Sequence, residues 1–382
     1  MGKIYTAMGL MSGSSLDGVD VSIIESDGNK EFRSILDRYF EYDKELVQKI
    51  LILREKITDK EKLNKYLIEI KDLERKITLF HVEAVKETIR ISKSSVDLIG
   101  FHGQSIFHNP EKKITKQLGD GKLLSQLTKK MVVYNFRQND LKNGGQGAPL
   151  TPIFHNVLAN KINQNFSLGF PLNFLNIGGI SNFTSTVDWK NLGNEINGIN
   201  AGDIGPGNCL IDEWIRKNSK KKYDKDGLIA KSGTIDKLVL NQALENFEEN
   251  SNYKKSLDVR DFDIFFAKGL SLENGAATIT NFTAALIANG IRHVNGIDQP
   301  IMNKWLVCGG GRKNRYLLES IKNIFGKISI EPIDQYQIDG DFVESQAFGY
   351  LAIRAFLKLP ISFPSTTGCI KPSTGGILVK NF

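Results

Sequence analysis

An α/β fold in two lobes with mixed sheets is what this sequence predicts, and three observations carry the prediction. At 382 residues the chain is longer than one compact core usually grows, so two domains are the default. Short apolar runs of strand length alternate with longer stretches of helical spacing. A strand–glycine–strand layout at the N-terminus recurs just past Gly169–Leu172, near the midpoint, as duplicated halves facing a shared cleft would produce. The expected division is residues 1–170 as an N-terminal lobe and 171–382 as a C-terminal lobe, with the last helix able to pack back across the lobes.

Each element follows from pattern. Ile4–Leu10, Val19–Ile24 and Phe32–Tyr39 read as three strands, separated by turn residues. From Asp59 to about Ile91, apolar residues such as Ile70, Leu73, Ile77 and Ala84 recur at helical spacing with Lys and Glu between them. Val96–Phe101 is a short buried strand leading into His102-Gly-Gln-Ser105, and Val132–Phe136 is another strand, followed by a helix from about Pro152. In the second half, Asn173–Ile177 and Ile180–Val187 flank Gly178-Gly179. The loop Gly202–Asn208 runs into a helix that sets Leu210, Ile211, Trp214 and Ile215 on one face. Asn274–Ile291 is a long helix, Trp305–Cys308 a strand, Asn314–Phe325 a helix and Phe342–Leu357 the last helix.

Composition narrows the function classes. Hydrophobic content of 41% and charged content of 24% are ordinary for a globular protein, and no apolar run approaches a membrane span. The expectation is therefore no membrane partner. Three scattered cysteines without a CxxC pair, and five histidines without metal spacing, fit a reducing cytoplasm and no structural zinc. The formal charge of +7 comes from lysines spread along the chain, densest at Lys217 and Lys220–Lys222. No recognition motif accompanies them, so a field drawing in anionic small molecules is expected rather than a nucleic-acid partner.

The chemistry gathers at glycine-rich turns. Gly9–Asp20 crowds glycines, serines and acids between two strands, where turn amides and hydroxyls can cradle phosphate oxygens. Asp17 or Asp20 can orient Mg²⁺ through water. Neither GxxxxGK[ST] nor GxGxxG is present, so the usual phosphate and dinucleotide fingerprints do not apply. Asp203 precedes Gly205-Pro-Gly207 and faces the positive end of the next helix; it can bind magnesium, accept a proton from a nucleophile, or cap the turn. His102, Gly103 and Gln104 suit hydrogen bonds to sugar hydroxyls, and Asp140 with Gly144, Gly145 and Gly147 forms another loop able to touch ligand. Gly309–Gly311, after a strand and opening a helix, can pack against adenine or ribose. Glu344 follows Asp341 at capping-box spacing, which offers a structural reading for it.

Taken together, Gly9–Asp20, Phe101–Gln104, Phe136–Pro149, Asn176–Asn182, Asp203–Asn208, Tyr223–Gly227 and Val307–Gly311 resemble the anhydro-N-acetylmuramic acid kinases, in order and over nearly the whole chain. The resemblance implies a two-lobed actin-like sugar-kinase fold with a duplicated core and the nucleotide in the inter-lobe cleft. It implies a bacterial cytoplasmic enzyme of cell-wall peptidoglycan recycling, using ATP and Mg²⁺ and acting as a homodimer. It gives ATP to Gly13, Ser14, Ser15, Leu16, Asp17, Gly18, Val19, Asp20, Gly178, Gly179, Gly205, Gly207, Gly309, Gly310, Gly311 and Asn314. It gives the sugar to His102, Gly103, Gln104, Asp140, Gly145, Gln146, Glu344 and Arg260, catalysis to Asp203, and a water-mediated metal contact to Asp17. Two departures stand out. Asn139 replaces an arginine common in the family, and Ser256–Asp261 replaces a Ser-Thr-Gly-Arg-Glu loop, with Arg260 the candidate substitute. Two other readings of the same fold stay open: a kinase of another anhydrosugar such as levoglucosan, and a non-sugar ATP-driven clamp or filament subunit.

Overall fold

The computed structural model describes residues 2–13, 16–191, 198–250, 257–295, 304–326 and 328–382, with backbone alone at 248–250, 260 and 295. In chain order, β1 (Tyr5–Ser12), β2 (Gly18–Ser26) and β3 (Phe32–Glu41) precede α1 (Lys44–Lys56), α2 (Lys60–Lys65) and α3 (Leu67–Ser92). Next come β4 (Leu98–Asn109), β5 (Ile114–Leu118), α4 (Gly121–Thr128), β6 (Met131–Tyr134), α5 (Gln138–Lys142) and α6 (Pro152–Phe166). The following stretch holds β7 (Leu172–Ile177), β8 (Ile180–Ser185), β9 (Asn200–Pro206), α7 (Cys209–Asn218), α8 (Leu228–Ser232), α9 (Lys237–Asn250) and α10 (Leu272–Asn295). The chain ends with β10 (Lys304–Cys308), α11 (Arg315–Phe325), β11 (Ser329–Pro332), α12 (Val343–Phe356), α13 (Pro364–Thr367) and β12 (Ile377–Val379).

The fold is mixed α/β with two sheets, and the sheets repeat one plan. One runs β12-β6-β4-β1-β2-β3 with β5 added on β4; the other runs β11-β10-β7-β8-β9. Stripped of its additions, the first order β6-β4-β1-β2-β3 matches the second strand for strand. In each, the first strand pairs antiparallel with the second and parallel with the strand that returns after the helices. The duplicated core expected from the repeated layout is thus seen in topology.

Contacts divide the chain into one unit of Met1–Asn165, Val187–Asn200 and Asp341–Phe382, and another of Phe166–Thr186 and Ala201–Gly340. In this division α12 belongs with the first unit. There α12 packs on β1, β2 and β4. It can do so because Gly9 and Gly100 leave room: a Cβ on either would collide with a carbonyl of α12, at Ser345 or Phe348. The alternate residues of β1, Met8 and Leu10, join Ile77 and Val85 of α3 in the core on the other side. In the second unit, Leu175 and Ile177 of β7 and Trp305 and Val307 of β10 share a core with Ile279 and Ile287 of α10.

Two expectations need correction. β4 runs on through His102–Ser105, because β5 folds back to pair with it, so these residues lie in a strand and not a loop. Asn200–Pro206 is likewise a strand, pairing beside β8, where sequence analysis expects a loop from Gly202. Glycine and proline carry the turn signal there, and the sheet edge overrides it. Among the described residues no helix is long and apolar enough to cross a membrane.

Candidate active site

In the first unit, the chain reverses between β1 and β2. Leu16 takes a left-handed backbone (φ 61°) and donates its N–H to Gly13 O at 3.3 Å. The side chains of Leu16 and Val19 are buried, which leaves their backbone as the part available to a ligand. Gly18 has a packing reason, since a Cβ there would collide with Phe40 O on β3. Asp17 is exposed and Asp20 is half-buried opposite Met11. Burial first, then the charges of Asp17, Glu41 and Asp20, push the Tyr39 phenol pKa up, so this end of the unit is electronegative. Ser14 and Ser15 lie outside the described residues.

A second group forms where β4 and β6 end. His102 is buried; its Nδ1 lies 2.7 Å from Gly103 O, and its Nε2 receives Arg137 Nε at 3.2 Å and Nη2 at 3.0 Å. Nε2 must therefore accept, which makes Nδ1–H the donor to Gly103. Burial and then the Arg137 cation hold this imidazole well below its usual range, so it is neutral. Arg137 Nη1 also donates to Gly147 O at 2.8 Å. Gly103 (φ 73°) sits where β4 shifts its register on β1, with Leu118 O against the place a Cβ would occupy. Gln104 Nε2 donates to Gly13 O at 3.0 Å, which attaches this predicted sugar residue to the β1–β2 turn, and its buried Oε1 has no hydrogen-bond partner among the described residues.

Asp140 is 1% exposed, and its two oxygens join the neighbouring loop to the C-terminal segment. Oδ2 accepts from Gly147 N at 2.6 Å and Oδ1 from Thr367 Oγ1 at 2.7 Å. Gly145 stands where a Cβ would strike that carboxylate, and Gln146 N donates to Thr367 O at 2.9 Å. Asp140 and Gly145 thus shape the loop that carries Gln146. Asn139, the departure from the family arginine, donates its Nδ2 to Thr374 O. Beside His102 opens a cavity of about 280 Å³, walled by Phe101, Thr115, Gln117, Tyr134 and Gln138 and by the Glu74–Lys116 ion pair. Glu344 is half-buried in the first turn of α12, whose N-cap position is Phe342.

In the second unit, glycine turns interlock at the ends of β7 and β10. Gly207 N donates to Gly179 O at 2.9 Å and Asn208 N to Gly178 O at 2.8 Å, while Ser181 Oγ donates to Pro206 O at 3.0 Å. A Cβ on Gly207 would collide with Gly178 O, and one on Gly311 with Ile177. Gly178 and Gly310 differ: a Cβ on either meets nothing nearer than 3.6 Å, so packing does not require glycine there. Gly205 (φ 152°) bends the chain between Asp203 and Gly207. Asp203, half-buried on β9, accepts from Leu257 N at 2.8 Å with Oδ2. It does not cap α7, whose N-cap is Asn208 with no side-chain bond. Asn314 Oδ1 accepts from Leu317 N at 3.0 Å and is nearly buried, so it is the N-cap of α11. The side chain of Arg260, like Ser256, lies outside the described residues.

Sequence reasoning missed Arg137, Thr367 and Arg312. Arg312, 6% exposed, donates Nη1 to Gly309 O at 3.2 Å and binds Asp334 through Nε at 2.7 Å and Nη2 at 3.0 Å. Its place directly after Gly309–Gly311 was a local signal; the partners of Arg137 and Thr367 are visible only in three dimensions.

Comparison with known proteins decides between the readings left open. The family model described as anhydro-N-acetylmuramic acid kinase matches residues 5–381. The chain belongs to this family. An anhydro-N-acetylmuramic acid kinase of Pelagibacter ubique is 52% identical, and one of Agrobacterium fabrum 36% identical, each over 100% of both chains. As a member of the family, the protein is a kinase that uses ATP, a phosphotransferase, and the clamp and filament readings fall away. Among solved structures, component A of the (R)-2-hydroxyglutaryl-CoA dehydratase of Acidaminococcus fermentans matches at TM-score 0.44 and 9% identity, over 92% of this chain and 98% of that one. A hexokinase of Schistosoma mansoni with glucose matches at 0.39 and 10%, over 91% and 85%.

Proposed function

We propose that the protein opens the 1,6-anhydro bond of 1,6-anhydro-N-acetylmuramic acid with water and transfers the γ-phosphoryl group of ATP to O6. The products are N-acetylmuramic acid 6-phosphate and ADP, as peptidoglycan recycling in a bacterial cytoplasm requires. The observation that carries the reading is Asp203, a carboxylate fixed by the Leu257 N–H beside the Gly205–Asn208 turn and not consumed as a helix cap.

In this reading Asp203 takes a proton from the water that attacks C1. The C1–O6 bond breaks as the C1–O bond to water forms, and O6 takes the phosphoryl group, with ADP leaving. Attack from the face opposite O6 resembles an inverting glycosidase in which phosphoryl transfer replaces the usual acid. Such a transfer asks mainly for positioning and charge stabilisation. The turn Gly13–Asp20 and, in the second unit, Gly179, Gly310 and Gly311 supply backbone N–H groups for phosphates and nucleotide, while Gly178, Gly207 and Gly309 donate theirs within the turns and bring that backbone close to the ligand. Bound with ATP, Mg²⁺ neutralises phosphate charge; the exposed Asp17 carboxylate fits contact through the ion's water shell.

The sugar is assigned to the cavity beside His102, with Gln146 and Glu344 as further contacts. Thr115, Gln117, Tyr134 and Gln138 offer hydroxyl and amide groups to a polyol face, and neutral His102, whose ring nitrogens already bond Gly103 O and Arg137, forms part of the wall without adding charge. Burial, then Asp120 and Glu74, raise the Tyr134 phenol, so the lactyl carboxylate is expected to point away from this cavity. A homodimer is the proposed assembly. The test is mass spectrometry of the sugar product formed from Mg-ATP and the anhydrosugar in ¹⁸O-labelled water. One heavy oxygen at C1 of a 6-phosphate is expected, and Asp203→Asn should lower kcat by about 10²–10⁴-fold while ATP binding persists. A phosphosugar without the heavy oxygen, or an active Asp203→Asn, would sink this mechanism.

A further inference from the structure

We infer that Tyr42 is a positioning residue that clamps both ends of the β1–β2 turn, acting with His81 through Ser12. The inference rests on the reading of that turn as a phosphate cradle. Tyr42 follows β3 and is 4% exposed. Its backbone N–H donates to Asp17 O at 2.9 Å, on the far side of the turn. Its phenol lies 2.8 Å from Ser12 Oγ, on the near side. Ser12, 1% exposed, lies 3.3 Å from His81 Nε2, and His81 Nδ1 lies 2.8 Å from Ile77 O.

Donor and acceptor roles in this chain have one consistent order. Ile77 O can only accept, so Nδ1 of His81 carries the hydrogen and Nε2 must accept from Ser12. The Ser12 hydroxyl, having donated its hydrogen, accepts from the Tyr42 phenol. Burial favours the uncharged form of both ends, keeping the phenol a donor and the imidazole an acceptor. A buried Ser–His pair invites comparison with a nucleophile and its base, but neither side chain is exposed to reach a substrate. What the chain can do is hold Ser12, the last residue of β1, in one rotamer and so fix the direction in which the backbone enters Gly13. Gln104 Nε2 on Gly13 O adds a third anchor.

The test compares steady-state constants of Tyr42→Phe with those of the parent. This change removes one hydroxyl and keeps both the ring and the backbone anchor. Losing one buried hydrogen bond in the clamp should raise KM for ATP about fivefold, with KM for the sugar unchanged. His81→Gln, which retains an acceptor, should recover most of the ATP affinity that His81→Leu loses. Gly13→Val, which alters the turn itself, separates the two claims. If Gly13→Val weakens ATP and Tyr42→Phe changes only the melting temperature, the clamp is overturned and the cradle stands. If Gly13→Val leaves ATP binding intact, the cradle reading fails, and the clamp with it.

Discussion

The two units solve one packing problem with the glycines placed differently. In the first, Gly9 and Gly100 lie on strands β1 and β4 beneath α12, which adds Gly349 against Gly9. In the second, they lie on the helix: Gly290 of α10 meets Ile204 of β9, and Gly275 meets the Trp214 ring of α7. The same strand order therefore does not dictate where the small residues go; only the close approach is shared. A second difference follows at the turns. The β1–β2 turn is held by the side chains of Tyr42, Ser12 and Gln104 as well as by backbone, and Ser12 leans on the buried imidazole of His81, whereas the turns of the second unit are held by backbone bonds to one another, by Ser181 and by Arg312. A turn that leans on a buried imidazole is exposed to titration in a way that the turns of the second unit are not.

Acid should separate the units most strongly. His81, His102 and His155 are all buried in the first unit. Burial pushes His81 down to about 4 and His155 to about 3, and His102 lies well below its usual range. In the second unit His293 is exposed. Each buried imidazole is neutral when folded and binds a proton when unfolded below about pH 6.5, so the unfolded state gains protons as pH falls. Their contribution to stability is complete above about pH 6.5 and lost toward pH 4, by about 1.4 kcal/mol per pH unit for each group while the folded group remains neutral. Hydrogen exchange followed by mass spectrometry between pH 7 and 4.5 should show α3 and β4 losing protection before β7 and β10. The reverse order would break the comparison.

The glycine placement yields a smaller and more local effect. Gly9→Ala sets a methyl group against a backbone carbonyl, which cannot rotate away, and should destabilise by about 3 kcal/mol. Gly275→Ala meets an indole, whose side chain can swing at the loss of the Trp214 Nε1 bond to Leu272 O, and should cost about half as much. Urea midpoints of the two variants check the ranking; equal losses would mean that the obstacle's identity is immaterial.

How much of this was legible in the sequence depends on the range of the interaction. The first three strands, α3 and the paired strands around Gly178-Gly179 follow from local periodicity and turn chemistry, and the structure has them within a few residues. Asp43 and Asp120 cap α1 and α4, signals that were present but not used to place those helices. β9 and the extension of β4 were hidden because Gly, Pro and His suggest loops, and only pairing with β8 and β5 makes them strands. Asn314, which the resemblance assigns to nucleotide, also caps α11, a role that its position before an amphipathic helix already allows. Arg137, Tyr42 and Thr367 have their decisive partners far along the chain, so no local pattern marks them.

Thr367 gives the smallest and most specific prediction. It comes from the C-terminal segment, yet its hydroxyl donates to Asp140 and its carbonyl accepts from Gln146 in the loop assigned to the sugar. Thr367→Val keeps the shape, removes the hydroxyl and leaves a buried carboxylate oxygen short of one donor. A hydrogen bond to a charged group is worth about 1.5–3 kcal/mol, and Gly147 N still serves the other oxygen, so a loss near 1.5 kcal/mol is expected. If the loop positions sugar, KM for the sugar should rise up to about tenfold with KM for ATP unchanged. Thr367→Ser, which keeps the donor, should restore most of it. Equal behaviour of the valine and serine variants would place the effect in packing and not in the hydrogen bond. A shift in ATP affinity instead would mean that the loop serves the nucleotide, and the division of labour within the first unit would have to be redrawn.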